Sequence, residues 1–119
     1  MGDFILIIDD EPDICKLLQL SLLRRGYNVK YVHALADGMK CIQDKRPDIL
    51  FLDIHLPDGS GLEALPAIKK QCPETPIVTI SAYDTGMEME QALSAGASFF
   101  LPKPFSLKRL QEVIYQIKS

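Results

Sequence analysis

Five times in succession, a short and largely apolar run in this 119-residue chain gives way to a segment with helical spacing. The runs are Phe4 to Ile8, Val29 to Val32, Ile49 to Leu52, Ile77 to Ile80 and Ser98 to Leu101. Strict alternation of this kind predicts an α/β fold, in which parallel strands are joined by right-handed crossovers and helices pack on both faces of one doubly wound sheet. The first and third runs are apolar at every position, as strands covered on both faces are. The length fits one domain, residues 1–119, with no linker.

The helical segments carry their own punctuation. Pro12 suits the first turn of a helix whose Ile14, Leu17, Leu18, Ser21 and Leu22 share a face until Gly26 ends it. Leu35, Met39 and Ile42 mark a second helix, which stops before Arg46-Pro47 because the residue ahead of proline avoids the helical region. Leu62, Leu65 and Ile68 face inward on a third, where Pro66 predicts either a late start or a kink. A fourth runs roughly from Thr85 to Ala95. Ser106 is placed to cap a fifth, whose Leu107, Leu110, Val113, Ile114 and Ile117 form one stripe. Leu56 to Gly61 is dense in turn formers and reads as a loop.

In a parallel sheet the carboxyl ends of the strands share one edge, and ligands bind in the crevice there. Asp9 and Asp10 follow the first run, Asp53 the third, Ser81 the fourth and Lys103 the fifth. Each alone has a plain reading: a solvated acidic pair, a helix-capping aspartate, a surface serine or lysine. Together they are different, because the fold brings them to one edge. Two like charges about 4 Å apart cost on the order of 4 kcal/mol at an effective dielectric of 20, so three clustered carboxylates require a cation. Magnesium suits an all-oxygen set and engages phosphate oxygens. Lys103 adds a compact positive charge, able to pair with Asp53 before a reaction and with a phosphate oxygen after it. An Asp53 oxygen then serves as nucleophile in an in-line phosphoryl transfer, provided that solvent reaches it.

Composition removes several alternatives. With 13 basic against 16 acidic side chains and a net charge of −3, the chain lacks the basic stripe of a nucleic-acid groove. No apolar run approaches the roughly 20 residues of a membrane span. Cys15, Cys41 and Cys72 are odd in number and far apart, which points to buried or half-buried free thiols in a reducing compartment and to neither a disulfide frame nor zinc.

The motifs also resemble a family. Ile8-Asp9-Asp10-Glu11-Pro12, Leu52-Asp53-Ile54-His55-Leu56-Pro57-Asp58-Gly59-Ser60-Gly61, Ile80-Ser81-Ala82, and Ala95-Gly96-Ala97 leading to Leu101-Pro102-Lys103-Pro104-Phe105 resemble the receiver domain of bacterial two-component response regulators. The resemblance covers essentially the whole chain. It implies a flavodoxin-like (βα)5 sheet of order 2-1-3-4-5, with Asp53 as phosphoacceptor. Asp10, Asp53 and the main-chain carbonyl of His55 would bind Mg2+, with Asp9 orienting metal-bound water. Ser81 would be the switch hydroxyl that bonds a phosphoryl oxygen, Phe100 the aromatic that turns inward with it, and Lys103-Pro104 a cis peptide; Phe99 reads as core. The domain would assist its own phosphorylation and dephosphorylation without being an enzyme in the ordinary sense.

The same resemblance implies a cytoplasmic protein that takes its phosphoryl group from a sensor histidine kinase, a phosphotransfer protein or acetyl phosphate. Its partner on the other side would be an output domain or protein, contacted through the face of helix 4, strand 5 and helix 5, since the fourth helix has a poor apolar stripe. A phosphorylation-dependent homodimer stays open, although Ser98-Phe99-Phe100 lacks the acids that one transcription-factor class uses to pair there. His55 and Tyr83 are bulkier than the residues often found at those places, and their bulk is expected either to shield an acyl phosphate from water or to cover an apolar rim. The chain reads as a stand-alone receiver or a piece of a longer protein. Competing classes fit less well: an Asp-nucleophile phosphatase of the haloacid dehalogenase type would carry Asp-x-Asp after strand 1 and a cap, and Asp9-Asp10-Glu11 would repel a flavin phosphate.

Overall fold

The computed structural model describes residues 3–82 and 86–118. Five strands, β1 (Phe4–Ile8), β2 (Asn28–Val32), β3 (Ile49–Asp53), β4 (Ile77–Ser81) and β5 (Phe99–Pro102), form one parallel sheet in the order β2-β1-β3-β4-β5. This is the predicted order. Ile8 lies opposite both Val32 and Leu52, and Asp53 lies opposite Ile80, so the strands end nearly level at one edge.

Period-two alternation divides the apolar side chains between the two faces. Ile5, Ile7, Phe51 and Ile80 pack with α1 (Pro12–Leu23) and α5 (Leu107–Lys118). Leu6, Ile8, Leu52 and Phe100 pack with α2 (Leu35–Asp44), α3 (Gly61–Gln71) and α4 (Gly86–Ser94) on the other side. All five residues of β3 and all five of β4 are buried, whereas the edge strand β2 is half exposed. Each large side chain sealed in this way stabilises the fold by about 1.5–3 kcal/mol, which makes the centre of the sheet its stiffest part.

Local sequence sets the helix ends. Pro12 opens α1, and Gly26, at φ +89°, closes the segment in a conformation that a side chain resists. Ser60 Oγ accepts the Glu63 amide 3.2 Å away to cap α3, and Ser106 Oγ accepts the Arg109 amide at 3.0 Å to cap α5. Helix α2 has no such cap of its own. Asp58, from the segment after β3, supplies it by accepting the Leu35 and Ala36 amides at 2.8 and 3.0 Å. Helix α4 buries only Ala92, while Met87, Met89 and Leu93 stay exposed.

Several expectations need correction. The segment from Leu56 is no plain loop: His55–Leu56 and Gly59–Ser60 pair as a small antiparallel ladder, which lets the Ser60 cap start α3 at Gly61. The third helix therefore does not begin late, and Pro66 sits inside it on an exposed face. Cys15, rather than Leu17, joins Leu18 and Leu22 in the core of α1. Leu107, assigned to the buried stripe of α5, is 47% exposed in the helix's first residue, and the buried stripe begins at Leu110. Cys15 and Cys72 are buried and Cys41 half-buried, all as free thiols.

Candidate functional site

The level ends of β1, β3, β4 and β5 deliver the predicted polar groups to one place. Asp9 follows β1, Asp53 closes β3, Ser81 closes β4, and Lys103 follows β5. Backbone hydrogen bonds fix these ends to one another: the Asp9 amide to Val32 O at 3.1 Å, the Ile54 amide to Ile80 O at 2.9 Å and the Lys103 amide to Ser81 O at 2.7 Å. The Lys103–Pro104 peptide is cis, as the resemblance implied.

Asp9, Asp10 and Asp53 each offer a carboxylate oxygen within 4.8 Å of the other two. Lys103 Nζ stands 3.1 Å from Asp9 Oδ2, 3.3 Å from Asp53 Oδ2 and 2.6 Å from Glu11 Oε1. Asp9 is sealed, Asp53 keeps 3% of its surface, and Asp10 is exposed. Asp53 thus presents little surface to solvent, while Asp10 lies exposed beside it. Asp53 Oδ1 also accepts the His55 amide at 3.1 Å.

Burial and charge work against each other in this pocket. Loss of solvent, followed by the nearby Asp9 charge, pushes the Asp53 carboxyl up to about 6, against the pull of Lys103 and the His55 amide. Desolvation likewise raises Asp9, although the Glu11 amide and Lys103 hold it back. Burial alone would lower Lys103, but its bonds to Glu11 and Asp9 and the charges of Asp9 and Asp53 raise it, so it stays cationic. Burial, with Asp9 second, pushes the Cys15 thiol up to about 12, which leaves it inert.

One lysine does not satisfy three acids. Asp9 Oδ2 is buried with no hydrogen bond among the described residues, although Lys103 lies at ion-pair distance from it. An unsatisfied buried oxygen, two further carboxylates and an open side formed by Asp10 make a donor set that fits a hard, oxygen-seeking cation.

Other predicted residues are placed as follows. Ser81 is fully buried and donates its hydroxyl to the carboxylate of Glu88, in α4. Phe100 is 8% exposed and lies in the cluster under α4, while Phe99 packs half-buried on the opposite face. The His55 imidazole projects outward, with Nε2 3.0 Å from Glu88 Oε2. Tyr83 lies outside the described residues.

Three residues near the site escaped the sequence reading. Glu11 is the shortest partner of Lys103, and its place beside the acidic pair was the available signal. Glu88 gave none. Gly61 read as a turn former, yet a Cβ there would overlap the Asp53 carbonyl oxygen and lie 3.1 Å from Ile54 Cα. Its amide donates to Ile54 O at 2.8 Å, so the chain after Asp53 folds tightly over this glycine.

Known proteins share this sequence pattern and fold. The sequence model of the family described as the response regulator receiver domain matches residues 5–115. The response regulator protein PilR of Pseudomonas aeruginosa is 38% identical over 109 residues, which cover 92% of this chain and 24% of PilR. The transcriptional regulatory protein TrcR of Mycobacterium tuberculosis is 35% identical over 106 residues, 89% of this chain and 41% of TrcR. The chain therefore spans less than half the length of these relatives. A two-component response regulator from Clostridium difficile superposes with a TM-score of 0.94 at 27% identity, covering 98% of this chain and 96% of that one. A response regulator from Burkholderia pseudomallei, solved with a phosphorylated aspartic acid, calcium ion and citrate, superposes with a TM-score of 0.85 at 25% identity, covering 97% and 72%. With the family matched across nearly the full sheet and the acids and lysine gathered at its carboxyl edge, the chain belongs to the receiver domain family of two-component response regulators, a family of signalling domains.

Proposed function

We propose that this receiver accepts a phosphoryl group on Asp53 with Mg2+ in the pocket, and that the change in charge alters the surface of α4, β5 and α5 presented to an output domain or partner. The observation that carries the reading is the cluster of Asp9, Asp10 and Asp53 oxygens within 4.8 Å, with Lys103 Nζ 3.3 Å from Asp53 Oδ2. Support also comes from the Burkholderia relative, which was solved with a phosphorylated aspartic acid and a calcium ion.

Asp10, Asp53 and the main-chain carbonyl of His55 would hold the ion, with Asp9 behind them. When bound, the ion neutralises charge on the transferring group. An Asp53 oxygen attacks phosphorus in line as the bond to the donor's nitrogen or oxygen breaks; a histidine leaving group takes a proton from solvent, whereas acetate leaves as the anion. Lys103 moves its charge from the Asp53 carboxylate to a phosphoryl oxygen, and the Ser81 hydroxyl donates to another. A sensor histidine kinase, a phosphotransfer protein or acetyl phosphate would be the donor. No nucleic acid contact by this domain enters the proposal. Among the described residues, no helix is long and apolar enough to cross a membrane.

Mass spectrometry after incubation with acetyl phosphate and magnesium tests the proposal. The wild type should gain one phosphate, and Asp53→Ala should gain none. An unmodified wild type, or a variant that is modified equally, refutes it.

A further inference from the structure

Glu88 binds two residues of the pocket at once and has no part in the chemistry above. Its carboxylate accepts the hydroxyl of the fully buried Ser81, and its Oε2 lies 3.0 Å from His55 Nε2. His55 in turn donates its amide to Asp53 Oδ1 at 3.1 Å. A continuous path therefore runs from the acceptor through the segment after β3 to the first turn of α4 and back to the end of β4.

We infer that Glu88 is a positioning residue that holds the unphosphorylated arrangement by competing with the phosphoryl group for the Ser81 hydroxyl; this deepens the proposed function and rests on it. A serine hydroxyl has one proton to donate, and here it is directed to Glu88. A phosphoryl group on Asp53 brings roughly 1.5 to 2 negative charges and three strong acceptor oxygens into the same pocket. Ser81 cannot serve both acceptors, and the carboxylate of Glu88 is repelled by the newcomer. The bond to Glu88 breaks on phosphorylation. The first turn of α4 then loses one of its two contacts with the pocket and keeps the one between Glu88 and His55, while of the helix itself only Ala92 is buried and Met87, one residue before Glu88, is 70% exposed. Glu88 thus opposes phosphorylation at rest and releases α4 afterwards.

The test compares wild type, Glu88→Gln, Glu88→Ala, Ser81→Ala and Ser81→Ala/Glu88→Gln. Phosphorylation by acetyl phosphate with magnesium is followed by mass spectrometry, and amide exchange over residues 86–94 is followed in the unphosphorylated proteins. Bonds to a charged acceptor are about twice as strong as neutral ones, so Glu88→Gln should speed phosphorylation on the order of tenfold, and Glu88→Ala at least as much. Exchange in α4 should be faster in both variants before any phosphate is added. In the Ser81→Ala background the gain from Glu88→Gln should shrink to roughly threefold or less, because the shared proton is gone. If wild type is modified at Asp53 and Glu88→Gln matches its rate, or the gain persists undiminished without the serine hydroxyl, the role of Glu88 is wrong while the acceptor assignment stands. If no protein in the series takes phosphate, both fall.

Discussion

Replacing Asp53 by asparagine should make the folded protein more stable, and the structure says by how much and at which pH. Burial, with Asp9 second, lifts the Asp53 carboxyl from 3.8 to about 6. One pKa unit corresponds to about 1.4 kcal/mol, so ionising Asp53 in the folded chain costs roughly 3 kcal/mol. Asparagine keeps the shape and removes the charge. After allowance for solvent screening on the open Asp10 side, the expected gain at pH 8 is on the order of 1 to 3 kcal/mol, or roughly 3–12 °C in Tm for a domain of this size. The folded chain binds the Asp53 proton more tightly than the unfolded chain, so the wild type has no deficit below about pH 4, loses stability as pH rises from 3.8 towards about 6, and carries the full deficit above about pH 7. Urea unfolding followed by circular dichroism, in EDTA at several pH values, reads this directly. Magnesium should stabilise the wild type by RT ln(1 + [Mg2+]/Kd), about 2.7 kcal/mol at a hundredfold excess over Kd, and narrow its gap to the variant. A variant equally favoured at pH 4 and pH 8, or less stable than wild type at pH 8, would show that Asp53 is not held at an electrostatic cost.

Lys103→Ala should lower the stability measured at pH 8 in EDTA, because Asp9 and Asp53 lose their shared cation, and should slow phosphorylation by roughly tenfold or more; magnesium should restore the stability more fully than the rate. Gly61→Ala forces a methyl group against the Asp53 carbonyl and the Ile54 backbone, so it should cost about 1–3 kcal/mol in urea unfolding and weaken magnesium binding in a calorimetric titration. Asp58→Ala should lower Tm at neutral pH and speed exchange of the Leu35 and Ala36 amides. Those two amides, Ala36 foremost, hold the Asp58 carboxyl below its usual range, so the wild type's advantage should be present at neutral pH and fade as pH falls below about 4.

The sheet and the gathering of its polar groups at one edge were legible in the sequence for the same reason. A strand buried on both faces is an unbroken apolar run, and Ile8-Asp9 and Leu52-Asp53 mark where two such runs stop. The first polar residue after the run must then lie at the carboxyl edge. Contacts that depend on how a connection folds left no such mark. Asp58 caps a helix that begins 23 residues earlier in the chain, and nothing local links it to Leu35. Glu88 lies in a short, weakly apolar helix, where periodicity cannot tell which side chain turns towards the pocket. Rules that treat a helix alone misplaced Leu107, which stands exposed at the first residue of α5, and the late start that Pro66 suggested for α3 did not occur, the proline lying inside the helix on an exposed face.

The same division between central strands and weakly held helix determines where a charge at Asp53 can be felt. Asp9 and Asp53 extend from strands whose side chains are almost all sealed, and displacing either strand would unseat several residues worth about 1.5–3 kcal/mol each. Helix α4 commits only Ala92 to that core, yet it reaches the pocket through Glu88. A charge added at the sheet edge meets a stiff wall on one side and a lightly held helix on the other, and the cheaper displacement is that of the helix. Under the proposed function the acid cluster would keep its geometry while α4 shifts, and the exposed Met87, Met89 and Leu93 would give that shift an apolar surface on which it can be read.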